Sequence, residues 1–229
     1  MPAETRAAPE FLLHRLDRLH ARARASGLLY RFTLATRILL AVGFIPTGTV
    51  KLLGRRFTTM DPASDVGAFF EVMYQSGGYW RFIGAAQVLA GILMLIPRTA
   101  ALGAVLFAPV IASIFVITLS YDFNGTPLVT GMMLLATVYL LCWDWHRVRP
   151  LLTEAPREPL PLPAHRLTVA ERGIYTGGVA AAFVSFFAMR SLLPPALMGW
   201  GLLVAALAAV TAAAAWAFHA LFARRTAAG

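Results

Sequence analysis

The sequence contains a single cysteine, Cys142, and a single lysine, Lys51, among 229 residues. One cysteine cannot form an internal disulfide, a CxxC redox pair or a thiolate zinc site. A thiol–disulfide oxidoreductase working through its own cysteine pair is thereby excluded. Histidine is also sparse: His14, His20, His146, His165 and His219, with no HExxH spacing. His146 and His219 fall near the same membrane face. Haem pairs in bilayers project from well inside helices, and neither residue lies there, so no metal site is read from the sequence. GxGxxG, Walker A and GxSxG motifs are missing. Charge is scarce as well: 14% of residues are charged, against roughly 25% in an ordinary soluble domain.

What is present is apolar and basic. Hydrophobic residues make up 59% of the chain, and the formal net charge is +9. Such apolarity excludes a disordered chain. It also separates this sequence from nucleic-acid-binding domains of similar charge. An integral membrane protein with arginine-rich loops accounts for both features. A spanning helix needs about 20 mostly apolar residues, and six stretches qualify. They run from about Thr33 to Leu53, Tyr79 to Ile96, Thr99 to Leu119, Pro127 to Trp145, Gly173 to Leu193, and Ala196 to His219. Thr126-Pro127 reads as an N-cap followed by an N1 proline. Pro97 ends the second span, and Pro194-Pro195 separates the last two.

The expected fold class is all-α: a polytopic membrane helical bundle with six transmembrane helices. Residues 1–30 form a basic cytoplasmic arm, 31–149 a four-helix membrane unit, 150–170 a proline-rich cytoplasmic linker and 171–229 a two-helix hairpin. Fourteen loop arginines lie on one side, including Arg18, Arg22, Arg98 and Arg147, against Arg55, Arg56, Arg81 and Arg190 on the other. The positive-inside rule then places both termini in the cytoplasm of a bacterial-type membrane. Tyr30, Trp143 and Trp145 suit an inner aromatic belt, and Tyr79 and Trp80 an outer one. In Phe11 to Ala25, Leu12, Leu16, Leu19 and Ala23 share one helical face and Arg15, Arg18 and Arg22 another. That pattern is open to two readings, a helix lying on anionic headgroups or a solvated arm that only sets topology. Small residues recur every four positions in three spans: Ala100 to Ala112, Gly173 to Ser185 and Gly201 to Ala217. They mark candidate seams within the chain or in a homo-oligomer.

Ionisable groups inside spans are costly and point to function. Arg37 lies one turn from the inner end of the first span, where snorkelling would carry its charge to water. Lys51 lies one turn from the outer end, on a stripe with Gly43 and Thr47. Gln87 sits near the middle of the second span, where a buried amide needs a partner. Arg81 lies nearer the outer face. The third span exits through Tyr121, Asp122 and Asn124. Lys51, Arg81, Gln87, Tyr121, Asp122 and Asn124 therefore form the candidate ligand-binding set, with Asp61, Asp65 and Glu71 on the loop beside them. Ion pairing that stabilises the bundle is the competing reading. No nucleophile stands beside a base, so any chemistry would come from a cofactor or partner.

The segments Arg37-Ile38-Leu39-Leu40 and Gly48-Thr49-Val50-Lys51-Leu52 resemble the first helix of the DoxX family. The run from Phe82-Ile83-Gly84-Ala85-Ala86-Gln87 through Pro97-Arg98-Thr99 to Gly103-Ala104 resembles its second and third helices. The similarity covers about Arg37 to Trp143. It implies a four-helix membrane core and a role as subunit of a quinone-linked oxidoreductase, with quinone as the cofactor and further oxidoreductase subunits as partners. Family members often carry an acidic residue where Gln87 stands. The C-terminal hairpin also departs from the four-helix pattern. Transport of a small molecule or lipid remains an alternative, as does assembly through a soluble partner docked on the basic face. The bilayer is the remaining partner, and nucleic acid is not one.

Overall fold

The computed structural model describes residues 17–121, 123–148 and 165–189. Among these the secondary structure is helical throughout, with no strand. This suits an apolar solvent, where each backbone polar group must be satisfied within its own segment. Helix α1 covers residues 17–25. It is followed by α2 (Gly27–Leu52), α3 (Asp65–Gln75), α4 (Gly78–Leu95), α5 (Ala100–Ser120), α6 (Thr126–Trp143), the short α7 (Trp145–Val148) and α8 (Val169–Met189). Helices α2, α4, α5 and α6 are long and apolar enough to cross a membrane. They match the first four expected spans to within a few residues, except that α2 begins earlier. The fifth expected span overlaps α8, which is not among the described helices that are long and apolar enough to count as membrane spans. The sixth span, the linker between 149 and 164, and the arm before Asp17 lie outside the described residues.

The described residues fall into two compact units. One holds the chain up to Arg37 and from Leu93 to His165. Here α5 packs on α6 through Ala104, Phe107 and Ile111, all fully buried. The Thr118 and Thr130 hydroxyls hydrogen-bond across the seam at 2.9 Å. Of the alanine ladder expected from Ala100 to Ala112, Ala100 and Ala104 are buried, while Ala108 and Ala112 are half-buried. Gly125, at φ +75°, is the N-cap of α6. Thr126 is thus the first helical residue rather than the cap, because the left-handed turn needed glycine.

Arg37 does not snorkel to water. Its Nη2 donates to Asp144 Oδ2 at 2.5 Å, and Arg24 Nη1 lies 3.9 Å from Asp144 Oδ1. Asp144 is the C-cap of α6, where a carboxylate opposes the helix dipole. Two guanidinium groups offset that cost. Trp143, expected in an aromatic belt, is buried beneath the Arg24 guanidinium, 4.8 Å from its carbon.

The other unit holds Ile38–Ile92 and the chain from Arg166. Its two long segments, in α2 and α4, meet at glycine. A Cβ on Gly84 would lie 2.4 Å from Leu52 N and 2.6 Å from Gly48 O. A Cβ on Gly48 would lie 2.8 Å from Gly84 O. Backbone thus rests on backbone, the close approach that membrane helices use in place of hydrophobic drive. Gly91 allows a similar approach against the Ile45 side chain. By contrast, a Cβ on Gly173 or Gly177 of α8 would meet nothing within 4 Å. Those two positions form no seam with the described residues, although Ala181 further along is buried.

Gly84→Ala is expected to destabilise the fold by roughly 1–3 kcal/mol, the range for overpacking. Gly91→Ala should cost less, because the Ile45 side chain can move, and Gly177→Ala should be near neutral. Thermal unfolding of the detergent-solubilised protein, followed by circular dichroism, checks that order.

Candidate functional site

The last turn of α2 prepares the site. Gly54 N–H donates to Lys51 O at 2.9 Å and Arg55 N–H to Val50 O at 3.0 Å, with Gly54 at φ +66°. This is a Schellman closure, in which a left-handed glycine satisfies the final carbonyls. It leaves Lys51 in the last helical turn, where a cation is favoured by the dipole. The Gly48–Gly84 contact one turn earlier holds α4 close enough for the side chains to meet.

Lys51 is only 7% exposed. Its Nζ donates to Gln87 Oε1 at 2.9 Å. The same ammonium lies 4.3 Å from the Phe57 ring centroid and 5.5 Å from that of Trp80. Aromatic faces attract a cation electrostatically, more so where water is excluded. Trp80 is 2% exposed and donates its indole N–H to Arg55 O at 2.9 Å. It is therefore part of the site rather than of an outer lipid-facing belt, whereas Tyr79 is 56% exposed and remains outside. Burial of a lysine at this depth is offset by an amide dipole, two ring faces and the helix terminus together.

Beside this cluster opens a cleft of about 840 Å³. Val50, Phe57, Met60, Pro62 and Phe70 give it apolar walls, and Thr58, Thr59, Arg56, Glu71 and Tyr74 line it with polar groups. Phe57 and Val50 thus belong both to the surroundings of Lys51 and to the cleft. One wall is α3, a helix within the segment expected to be the outer loop. Ser64 caps it, accepting from Gly67 N at 3.1 Å. Ser64 followed by Asp65 in the first turn was the available signal. Arg56 makes a bidentate pair with Glu71, Nε to Oε2 at 3.0 Å and Nη2 to Oε1 at 2.8 Å. The Arg56 guanidinium also stands 4.5 Å from the Tyr74 ring. Hydrogen bonds from Arg56, then from Gln75, hold the Glu71 carboxyl at about 2, below its ordinary 4.5.

The structure therefore brings Lys51 and Gln87 together directly. Arg81 is exposed, and a Cβ on Gly54 would lie 3.2 Å from its Nε. Its guanidinium thus lies against the loop that closes α2. Tyr121 and Asn124 belong to the other compact unit, on the exposed turn after α5. Asp122 lies outside the described residues. Asp61 is engaged locally, accepting from Ala63 N at 2.9 Å. Sequence reasoning missed Phe57 and the roles of Trp80, Arg56 and Tyr74. Phe57 lies in irregular chain where no periodicity marks it.

A second polar cluster sits in the other unit. His20 Nε2 and Trp143 O are 2.8 Å apart, and the His20 and His146 rings are 5.7 Å apart. Burial, followed by the Arg24 charge, pushes His146 down to about 4, so it is neutral at pH 7. Burial likewise lowers Arg24, against the pull of Asp144. This arrangement clamps α1 to the end of α6. Among the described residues no three His, Cys, Asp or Glu side chains come together as a metal site.

Gln87→Leu leaves a buried ammonium without its amide acceptor. It is expected to cost about 1–3 kcal/mol, and the double variant Lys51→Met/Gln87→Leu less than that. Chemical unfolding in micelles, arranged as a double-mutant cycle, measures the difference. The Arg56–Glu71 contribution should be complete above about pH 4.5 and decline as pH falls toward 2, because the folded-state pKa is the lower one. Titration of the Glu71 carboxyl by NMR checks this, and Arg56→Gln should return its midpoint toward the ordinary value.

No protein-family model matches the chain, and no solved structure matches it. The uncharacterized protein YwoB of Bacillus subtilis (strain 168) is 36% identical over 110 residues, 45% of this chain and 71% of that protein. Identity of that extent over most of the relative's length places the chain in the family of YwoB.

Proposed function

We propose that this chain is a DoxX-like, multi-pass membrane protein that binds a quinone or anionic substrate as a subunit or accessory of a quinone-linked oxidoreductase. In this reading the protein has six spans, and both termini face the cytoplasm of a bacterial-type membrane. The observation that carries it is the buried Lys51 ammonium, set on Gln87 and two aromatic rings, one of which, Phe57, also lines the neighbouring cleft. A cation so placed donates to a carbonyl or anionic oxygen with little reorganisation. The lining suits a quinone head. Phe57, Phe70 and Tyr74 offer ring faces, and Thr58, Thr59 and Arg56 offer donors. The quinone would supply the electron-accepting chemistry. This chain would bind and orient it, with Lys51 as hydrogen-bond donor and Arg81 nearby as a second positive charge.

The test is quinone content of the protein purified with its membrane partners. Lys51→Met should lower quinone occupancy roughly 10- to 100-fold, the effect of losing one charged hydrogen bond, with helical content retained. Equal occupancy in wild type and variant would refute the reading.

A further inference from the structure

Helix α1 has its polar side turned inward. Asp17 is buried, His20 bonds to the Trp143 carbonyl, and Arg24 reaches both Asp144 and the Trp143 ring. Positions 17, 20 and 24 lie within about 60° of one another on a helix of 3.6 residues per turn. The opposite sector, from Arg18 through Arg22 to Leu19, spans roughly 100°. Arg18 and Arg22 are exposed, and Leu19 is 60% exposed. Neither arginine makes an ion pair among the described residues. After Ser26, whose Oγ accepts from Leu29 N, the chain enters the membrane-length α2. That helix exposes Leu28 and Phe32 in its first turns. The outward sector of α1 therefore stands where a span enters the bilayer, carrying two arginines one turn apart and a leucine beside them.

We propose that this sector is a binding site for anionic phospholipid headgroups, with Leu19 seated among the acyl chains and Arg18 and Arg22 on phosphate oxygens. Charge complementarity selects the occupant. Two guanidinium groups with no ion pair among the described residues stand beside an exposed leucine at a membrane boundary, and a leaflet offers phosphates above hydrocarbon in that same order. A soluble acidic partner would not call for an exposed leucine beside the arginines. The inward face explains why the arrangement is rigid. His20 and Arg24 fasten α1 to the end of α6, so the arginines are presented at a set height and not on a loose arm. The site does not depend on the quinone reading, since it lies in the other compact unit from Lys51.

The experiment uses the full-length protein in detergent, titrated with phosphatidylglycerol and with phosphatidylcholine, and counts retained lipids by native mass spectrometry. Wild type should retain phosphatidylglycerol preferentially. The preference should fall roughly five-fold for each arginine removed in Arg18→Gln and Arg22→Gln, the ratio matching about 1 kcal/mol per basic side chain near an anionic surface. Arg18→Lys/Arg22→Lys should restore most of it, and Arg98→Gln should leave it unchanged. A double glutamine variant that folds, by circular dichroism, and keeps the full preference would overturn the proposal. So would an Arg98→Gln loss as large as that at Arg18 and Arg22.

Discussion

The contact of Gly48 with Gly84 is the constraint on which the candidate site depends. With backbone against backbone there, Lys51 and Gln87, each one turn beyond or less, come within hydrogen-bond distance. A methyl group on either glycine would push the helices apart by more than a hydrogen bond tolerates. The ammonium would then be buried without its acceptor. Close packing and polar chemistry are thus one feature in this unit. The same approach orients Trp80, whose indole closes on the Arg55 carbonyl and whose ring lies near the cation.

Two basic residues of α2, Arg37 partway along the helix and the buried Lys51 in its last turn, are treated differently. Arg37 is matched by a carboxylate, and its planar fork suits Asp144. That pair is a clamp, and the neutral state of His146 beside it adds no further positive charge at pH 7. Lys51 is set instead on an amide and two rings, weaker and more adaptable partners. A compact ammonium on such a platform can be shared with an incoming oxygen atom, whereas Arg37 is committed to Asp144. The contrast is why a ligand reading attaches to Lys51 and a structural reading to Arg37.

Much of this was legible in the sequence. The spans followed from runs of apolar residues, and Pro97 marked a true break after α4. Lys51 and Gln87 were selected because polar groups in apolar helices need an explanation. Two members of the α5 alanine ladder, Ala100 and Ala104, are buried. Helix α3 was overlooked, since an eleven-residue amphipathic helix gives a faint signal inside a long loop. Trp80 was assigned to a lipid-facing belt because an aromatic residue near a span end looks alike whether it faces lipid or protein.

What the sequence determined by itself was composition-driven: helical structure among the described residues, the four helices there of membrane length and the abundance of arginine in the segments outside the spans. Each follows from local hydrophobicity and charge, which do not depend on which helix neighbours which. Tertiary structure decided the pairings. Asp144 is 107 residues from Arg37, and Gln87 is 36 from Lys51. No periodicity encodes those separations, because they depend on how far helices approach and how each is rotated about its axis. That rotation also decided which face of α1 turned inward, and so left Arg18, Arg22 and Leu19 on the outside.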